Sequence, residues 1–279
     1  MCIKNNLKNC SHMFYDCKIL PNIKELEYLN TENVTDFSHM FAKTDISDIT
    51  PLRNWNTSKT KSLLSMFDSC KLLTNIKILE NWNVSNCNEF SSMFYCCENL
   101  SNIKALENWD VSNGKNFESM FNDIYDIKPL EKWNVSKGYN FKYMFNGCSI
   151  SDFKPLEKWN PMNATYLNGF FAETKISDLN FIKNWNVSKC KDFSYMFYSC
   201  KKLKDLKPIQ NWNVSNGQHF HSMFERCHLL SDLQPLENWN VSNGIYFADV
   251  FGDCKSLKNK NVLKKWKFSD NSYFQSMFK

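Results

Sequence analysis

The sequence predicts an α/β repeat solenoid, with short strands on one side and short helices on the other. Three observations carry this reading. First, Met-Phe recurs at Met13, Met40, Met66, Met93, Met120, Met144, Met196, Met223 and Met277, with Phe170 and Val250 in the two remaining places. The steps between these positions are all 24 to 27 residues, so a chain of 279 residues holds about ten copies of one unit. Second, all nine tryptophans, from Trp55 to Trp266, share one place in the unit, which Leu29 fills in the first copy. Third, the spacing is asymmetric. Each Trp (or Leu29) lies 11 residues before the next Met position, whereas the step from Met to the next Trp is 13, 15 or 16.

Each element follows from these spacings. An apolar residue stands six before Trp in nearly every copy, as in Ile49, Ile76, Ile103, Ile127, Phe153, Leu179, Leu206 and Leu233; the last copy has Lys260 there. Length therefore varies only between Met-Phe and this residue, which predicts an outer loop, because stacked segments do not accept insertions. Trp109 and Val111 are two apart, so an extended segment points both to one side. Ser112-Asn113-Gly114, Ser215-Asn216-Gly217 and Ser242-Asn243-Gly244 follow the valines. They predict a turn with a left-handed glycine, and a cap for a following helix. Phe90, Met93, Phe94, Cys97 and Leu100 then fall on the stripe of a short amphipathic helix.

Proline conflicts with part of this scheme. Pro51, Pro129, Pro155, Pro208 and Pro235 stand just after the fixed apolar residue, where a strand would need their N–H. Either the strand is very short, or proline opens a single helical turn; the short strand is preferred here. No unit buries its apolar side alone, so the expectation is one solenoid over residues 1–279, uncapped at both ends, with Trp, Phe, Met and Leu in columns.

Composition narrows the function. Apolar residues at 43% and aromatics at 15% argue against disorder. The net charge of +5 is mild and its signs are interleaved, which excludes a basic nucleic-acid stripe. The local run Lys255, Lys258, Lys260, Lys264, Lys265 and Lys267 reads as a solvated end face. The opening MCIKNNLKNCSHMF lacks the apolar core of about 7–15 residues of a secretory signal. No run of about 18 apolar residues spans a membrane. The chain is expected to be soluble and intracellular, with the cell surface or a virion as the alternative.

Three repeated features invite chemical readings. Seven of the twelve cysteines, Cys17, Cys70, Cys97, Cys148, Cys200, Cys227 and Cys254, lie four after the Met position, on the apolar stripe. They read as buried free thiols acting as small hydrophobes. Asn-x-Ser at Asn83, Asn134, Asn186, Asn213 and Asn240 reads as a structural column rather than as glycosylation acceptors. Glu80, Glu107, Glu131, Glu157 and Glu237 recur too regularly to form one active site. His219 and His221 share a face of an extended segment, with His228 nearby, and read as surface residues. No catalytic, cofactor-binding or metal-ligating residue is expected, and no cofactor.

The unit resembles the BspA-like repeat of bacterial surface proteins. That repeat runs Trp, Asn or Asp, Val or Thr, Ser, Asn, then Met-Phe, Cys or Ala, and Leu or Phe. Here Trp82-Asn83-Val84-Ser85-Asn86, Phe90, Met93-Phe94, Cys97 and Leu100 carry it, and the other copies repeat it along nearly the whole chain. The resemblance implies a leucine-rich-repeat-like solenoid, and sources among mycoplasmas, other host-associated bacteria, protists or giant viruses. It brings no catalytic residues. The expected function is a non-enzymatic scaffold for protein–protein interaction, its specificity in the variable positions. The alternatives are a self-assembling structural component, for example of a viral particle, and a cell-surface adhesin. A protein partner or self-association is expected, but not nucleic acid or a small-molecule ligand.

Overall fold

The computed structural model describes residues 7–18, 20, 23–121 and 124–279. They fall into two compact units, Met1–Val135 and Ser136–Lys279. Each is a stack of the sequence repeats with a continuous apolar interior. Phe37, Met40, Phe41, Leu52 and Trp55 are buried in one repeat of the first unit, and Phe193, Met196, Phe197, Ile209 and Trp212 in one repeat of the second.

The helix and the strand expected from the sequence are both corrected. The Met-Phe segment is not helical. It is a series of tight turns, and its N–H groups alternate between two destinations. Met40, Ala42 and Thr44 donate three residues back, to Phe37, His39 and Phe41. Between them, Phe37, His39, Phe41 and Lys43 donate to Ser62, Leu64, Met66 and Asp68 of the next repeat, at 2.7–3.1 Å. An α-helix would use all these N–H groups within itself and leave none for the neighbour. The second unit repeats the pattern: Phe193, Tyr195, Phe197 and Ser199 donate to His219, His221, Met223 and Glu225.

The turns need left-handed backbone at two places, one before Met and three after it. Ser65 and Ser69 have φ of 51° and 59°, Ser92 and Cys96 53° and 52°, and Tyr195 and Ser199 57° and 55°. Gly169, at φ 63°, holds the first place in its repeat.

Where the short strand was preferred, a 3-10 turn forms instead. The first unit has Lys24–Tyr28, Thr50–Asn54, Lys77–Asn81, Lys104–Leu106 and Lys128–Leu130. The second has Lys154–Leu156, Asn180–Ile182, Lys207–Ile209, Gln234–Leu236 and Asn261–Lys265. All five prolines of the motif sit in the first turn, where a missing N–H has no consequence. From Thr50–Asn54 onward the turns are capped from outside. The Asp or Asn before the fixed apolar residue accepts the N–H two residues on, as Asp48 does from Thr50 at 2.8 Å and Asn102 from Lys104 at 2.9 Å. These hydrogen bonds from Thr50, side chain and backbone, hold the Asp48 carboxyl below its ordinary value.

Among the described residues, pairing between repeats is reduced to isolated parallel bridges, most of them just before the first buried aromatic or leucine of the segment, with Phe94–Phe121 and Asp232–Asn259 elsewhere. The former run Asn9, Asp36, Ser62, Glu89, Asn116 in the first unit and Asn140, Tyr166, Asp192, His219, Tyr246, Tyr273 in the second. Aromatic columns accompany them. Phe41, Phe67 and Phe94 stack with ring centroids 5.7 and 5.9 Å apart, and Phe197, Phe224 and Phe251 at 5.4 and 5.6 Å. The Trp column is pinned by its indole N–H, which donates to the preceding turn: Trp109 to Leu79 at 2.8 Å, Trp239 to Ile209 at 3.1 Å. Trp82 and Trp185 differ, with buried indole N–H groups that meet no acceptor.

The expected left-handed glycine after Ser-Asn is also corrected. Gly114, Gly217 and Gly244 do not have positive φ. They are small because a Cβ would lie 2.2–2.3 Å from the Cζ of Phe117, Phe220 or Phe247. The preceding Asn caps no helix; Asn113 and Asn243 donate through Nδ2 to the Ser85 and Ser215 carbonyls of the repeat before, at 2.8 Å each.

Candidate functional site

The turn ladder sets which side chains face outward. With Phe, Met, Phe and most of the Cys column buried, the exposed and half-buried side chains of this segment come mostly from the bridge residue and the residues two, three, six and seven beyond it, although Ser38, Ala42, Ser65, Asn168 and Ser194 at these positions are buried. The residues three and seven beyond the bridge carry the left-handed backbone, and the varied side chains at all these positions define a ladder face on each unit.

In the first unit many polar groups of this face pair with one another, beside the exposed rings of Tyr15 and Tyr95. Ser38 Oγ lies 2.5 Å from Asp36 Oδ1 and 2.7 Å from Ser62 Oγ. Ser91 Oγ donates to Glu89 at 2.5 Å, and Asn116 Nδ2 reaches the same carboxylate at 3.0 Å. His12 and His39 stack at 4.6 Å, with Lys43 over the Tyr15 ring at 5.2 Å.

In the second unit the same positions carry aromatic rings. His219 stacks on Tyr246 at 5.1 Å, and Tyr195 meets His221 edge-on at 4.8 Å. Tyr246 and Tyr273 remain 45% and 48% exposed. Small residues, Ser222 and Ala248, sit among these rings and leave a cleft of about 360 Å³, with Asp249 at its edge. Ser194 Oγ holds His221 Nδ1 at 2.8 Å, and burial lowers the His221 pKa. The sequence brought out His219 and His221 together, and both line this cleft. His228 does not; it pairs with Asp253 at 3.1 Å. The tyrosines drew no attention in the sequence, although counting the register from each Met places Tyr246 and Tyr273 in the bridge column.

The opposite face differs in kind. Grooves of about 460 and 470 Å³ between successive 3-10 turns of the first unit are lined by Lys77, Glu80, Lys104 and Glu107. Lys132 pairs with Glu107 at 3.1 Å, and Lys128 with Glu131. Exposed pairs of this sort are worth about 0–1 kcal/mol. The repeated glutamates thus form an exterior charge pattern. The C-terminal lysines are partly engaged as well: Lys265 pairs with Glu237 at 2.7 Å, and Lys260 lies over the Phe278 ring at 5.3 Å.

The cysteine column is structural. Cys70, Cys97, Cys200 and Cys227 are buried, and each thiol donates to the carbonyl of the Phe just after the Met position in the preceding repeat, at 3.0–3.2 Å. Thr44 and Thr174 occupy the same position with a hydroxyl. Burial pushes Cys70 and Cys200 up to about 12. Cys17 departs from the expectation and is exposed; Cys2 lies outside the described residues. The Asn-x-Ser column is also turn chemistry: Asn83 Oδ1 accepts Ser85 N–H at 3.0 Å and its hydroxyl at 2.7 Å. Among the described residues no three His, Cys, Asp or Glu side chains come together to hold a metal ion, and no helix is long and apolar enough to cross a membrane.

No curated protein matches the sequence. Among solved structures, an internalin of Listeria monocytogenes, InlF, is 18% identical with a TM-score of 0.47, covering 89% of this chain and 70% of its own. Internalin C2 of the same organism is 19% identical with a TM-score of 0.42, over 78% and 71%. The leucine-rich-repeat ectodomain of the Arabidopsis thaliana receptor kinase GASSHO1/SCHENGEN3 is 11% identical with a TM-score of 0.42, over 89% of this chain and 34% of that one. The family described as "Mycoplasma protein of unknown function, DUF285" matches four overlapping stretches, residues 4–101, 73–179, 99–206 and 165–279. The chain therefore belongs to that family.

Proposed function

We propose that the protein is a non-enzymatic scaffold that binds another protein through the ladder face of its second unit. The carrying observation is the outward aromatic cluster of Tyr195, Tyr246, Tyr273, His219 and His221 around an open cleft. Tyrosine offers a large contact area with little rotamer entropy to lose, and protein interfaces are enriched in it. The matching face of the first unit spends its polar groups on one another, and the outer face is a solvated mixture of charges. That the repeats run as one solenoid over residues 1–279 belongs to the same proposal. Its support is the sequence register, since the 11-residue step from Trp133 to Met144 passes the boundary between the units unchanged.

Affinity capture from the native source provides the test. The Tyr246→Ser/Tyr273→Ser protein should lose the partner, by about 30-fold or more if these are interface anchors. The Lys183→Ser/Lys207→Ser protein, altered on the outer face, should retain it. Retention by both variants, or recovery of identical copies alone, would overturn the proposal.

A further inference from the structure

We infer that the cleft takes the cationic side chain of an arginine or lysine presented by the protein partner. This deepens the reading of the ladder face as the binding surface and rests on it. Three observations on that face converge.

The first is the character of the walls. Tyr195, Tyr246, Tyr273 and His219 contribute π faces and edges, and the Asp249 carboxylate is the only acidic group in the lining. No lysine or arginine lines the cleft. The electron-rich faces and the carboxylate attract the same sign of charge, and an anion would meet both unfavourably.

The second is the behaviour of this chain's own cations. Lys43 lies over Tyr15 at 5.2 Å, Lys142 over Tyr166 at 4.5 Å and Arg226 over Tyr198 at 5.6 Å. Outward tyrosines of the ladder face are thus repeatedly covered by a cation from within. Among the described residues none lies over Tyr195, Tyr246 or Tyr273. The cleft repeats the arrangement with the cation left to come from outside.

The third is access. Ser222 and Ala248 occupy places where other repeats hold larger side chains, such as Tyr195 and His221, and so open a recess of about 360 Å³ beside exposed rings. A long, thin side chain with a charged tip suits a recess with aromatic walls and a carboxylate at the edge.

The test uses the full chain with its aromatic rings carbon-13 labelled. It is titrated with acetylated, amidated Gly-Gly-Arg-Gly-Gly and with the same peptide carrying citrulline, which keeps the shape of arginine and removes its charge. The arginine peptide should shift the Tyr246, Tyr273 and His219 ring signals saturably. The citrulline peptide should bind about tenfold more weakly. Asp249→Asn should weaken the arginine peptide several-fold; Asn tolerates the left-handed backbone there, φ 54°, so the fold is kept. Equal binding of the two peptides, or no saturable shift, overturns the inference. If that happens while Tyr246→Ser/Tyr273→Ser still abolishes partner capture, the binding face stands and only its cationic ligand falls. If capture also survives that substitution, both readings fall.

Discussion

A single thiol shows how a repeat position acquires its chemistry. Cys200 must be small enough to sit beneath the next repeat, apolar enough to be buried, and able to satisfy the Phe171 carbonyl, which it meets at 3.1 Å. Thr174 donates to the same carbonyl from its own repeat at 2.8 Å, so that carbonyl receives both groups. Such thiols should be inert in the native protein, because burial raises their pKa and reaction needs the thiolate. With Ellman's reagent at pH 8, Cys17 and the half-buried Cys96 should react first among the described cysteines. Unfolding in denaturant should release all twelve thiols. A denatured count well below twelve would show disulfides and contradict the ladder. The column itself was legible in the sequence, since seven cysteines share one spacing from Met. Its hydrogen bond was not, because the partner is a main-chain carbonyl of the preceding repeat.

At the scale of the element, the sequence and the structure exchange places. The stripe Phe90, Met93, Phe94, Cys97, Leu100 fits a helix, yet it equally fits successive three-residue turns that bury the same side chains. What separates them is the backbone between the apolar residues. Gly147 and Gly169, with the serines at 65, 92, 119 and 222, mark the left-handed positions, and they were the available signal. Proline gave a second one: Pro51 and its equivalents belong to the 3-10 turn, a reading open in the sequence but not preferred. Substitution at exposed Glu173, φ 61°, distinguishes the two structures. In the turn ladder, Glu173→Gly should be more stable than Glu173→Ala by about 1 kcal/mol, because Ala keeps the left-handed strain. In an α-helix the order reverses by about the same amount. Thermal unfolding of the two variants side by side reads the sign. A second comparison addresses the columns: Phe224→Ala, in the middle of a stacked and fully buried series, should lose about 3–5 kcal/mol of stability.

At the scale of the molecule, the repeat was readable at once, because about ten copies average out local ambiguity. The fixed and variable halves of the unit were readable too, from the constant step of 11 residues between Trp and Met. The proposed interaction surface was not, because it depends on which residues the turns aim outward. Once the turns are in place, the difference between the units becomes visible: Asp36, Ser62 and Glu89 in the first bridge column, His219, Tyr246 and Tyr273 in the second. The central claim is that this aromatic face is where a partner sits. Oxidative footprinting of the full chain, with and without the captured partner, tests it most directly by reading side-chain modification residue by residue. The account predicts protection of Tyr246, Tyr273 and His219, with exposed Tyr28 and Tyr125 of the first unit unchanged. Protection of Tyr28 or Tyr125 with Tyr246 and Tyr273 modified as before would contradict it.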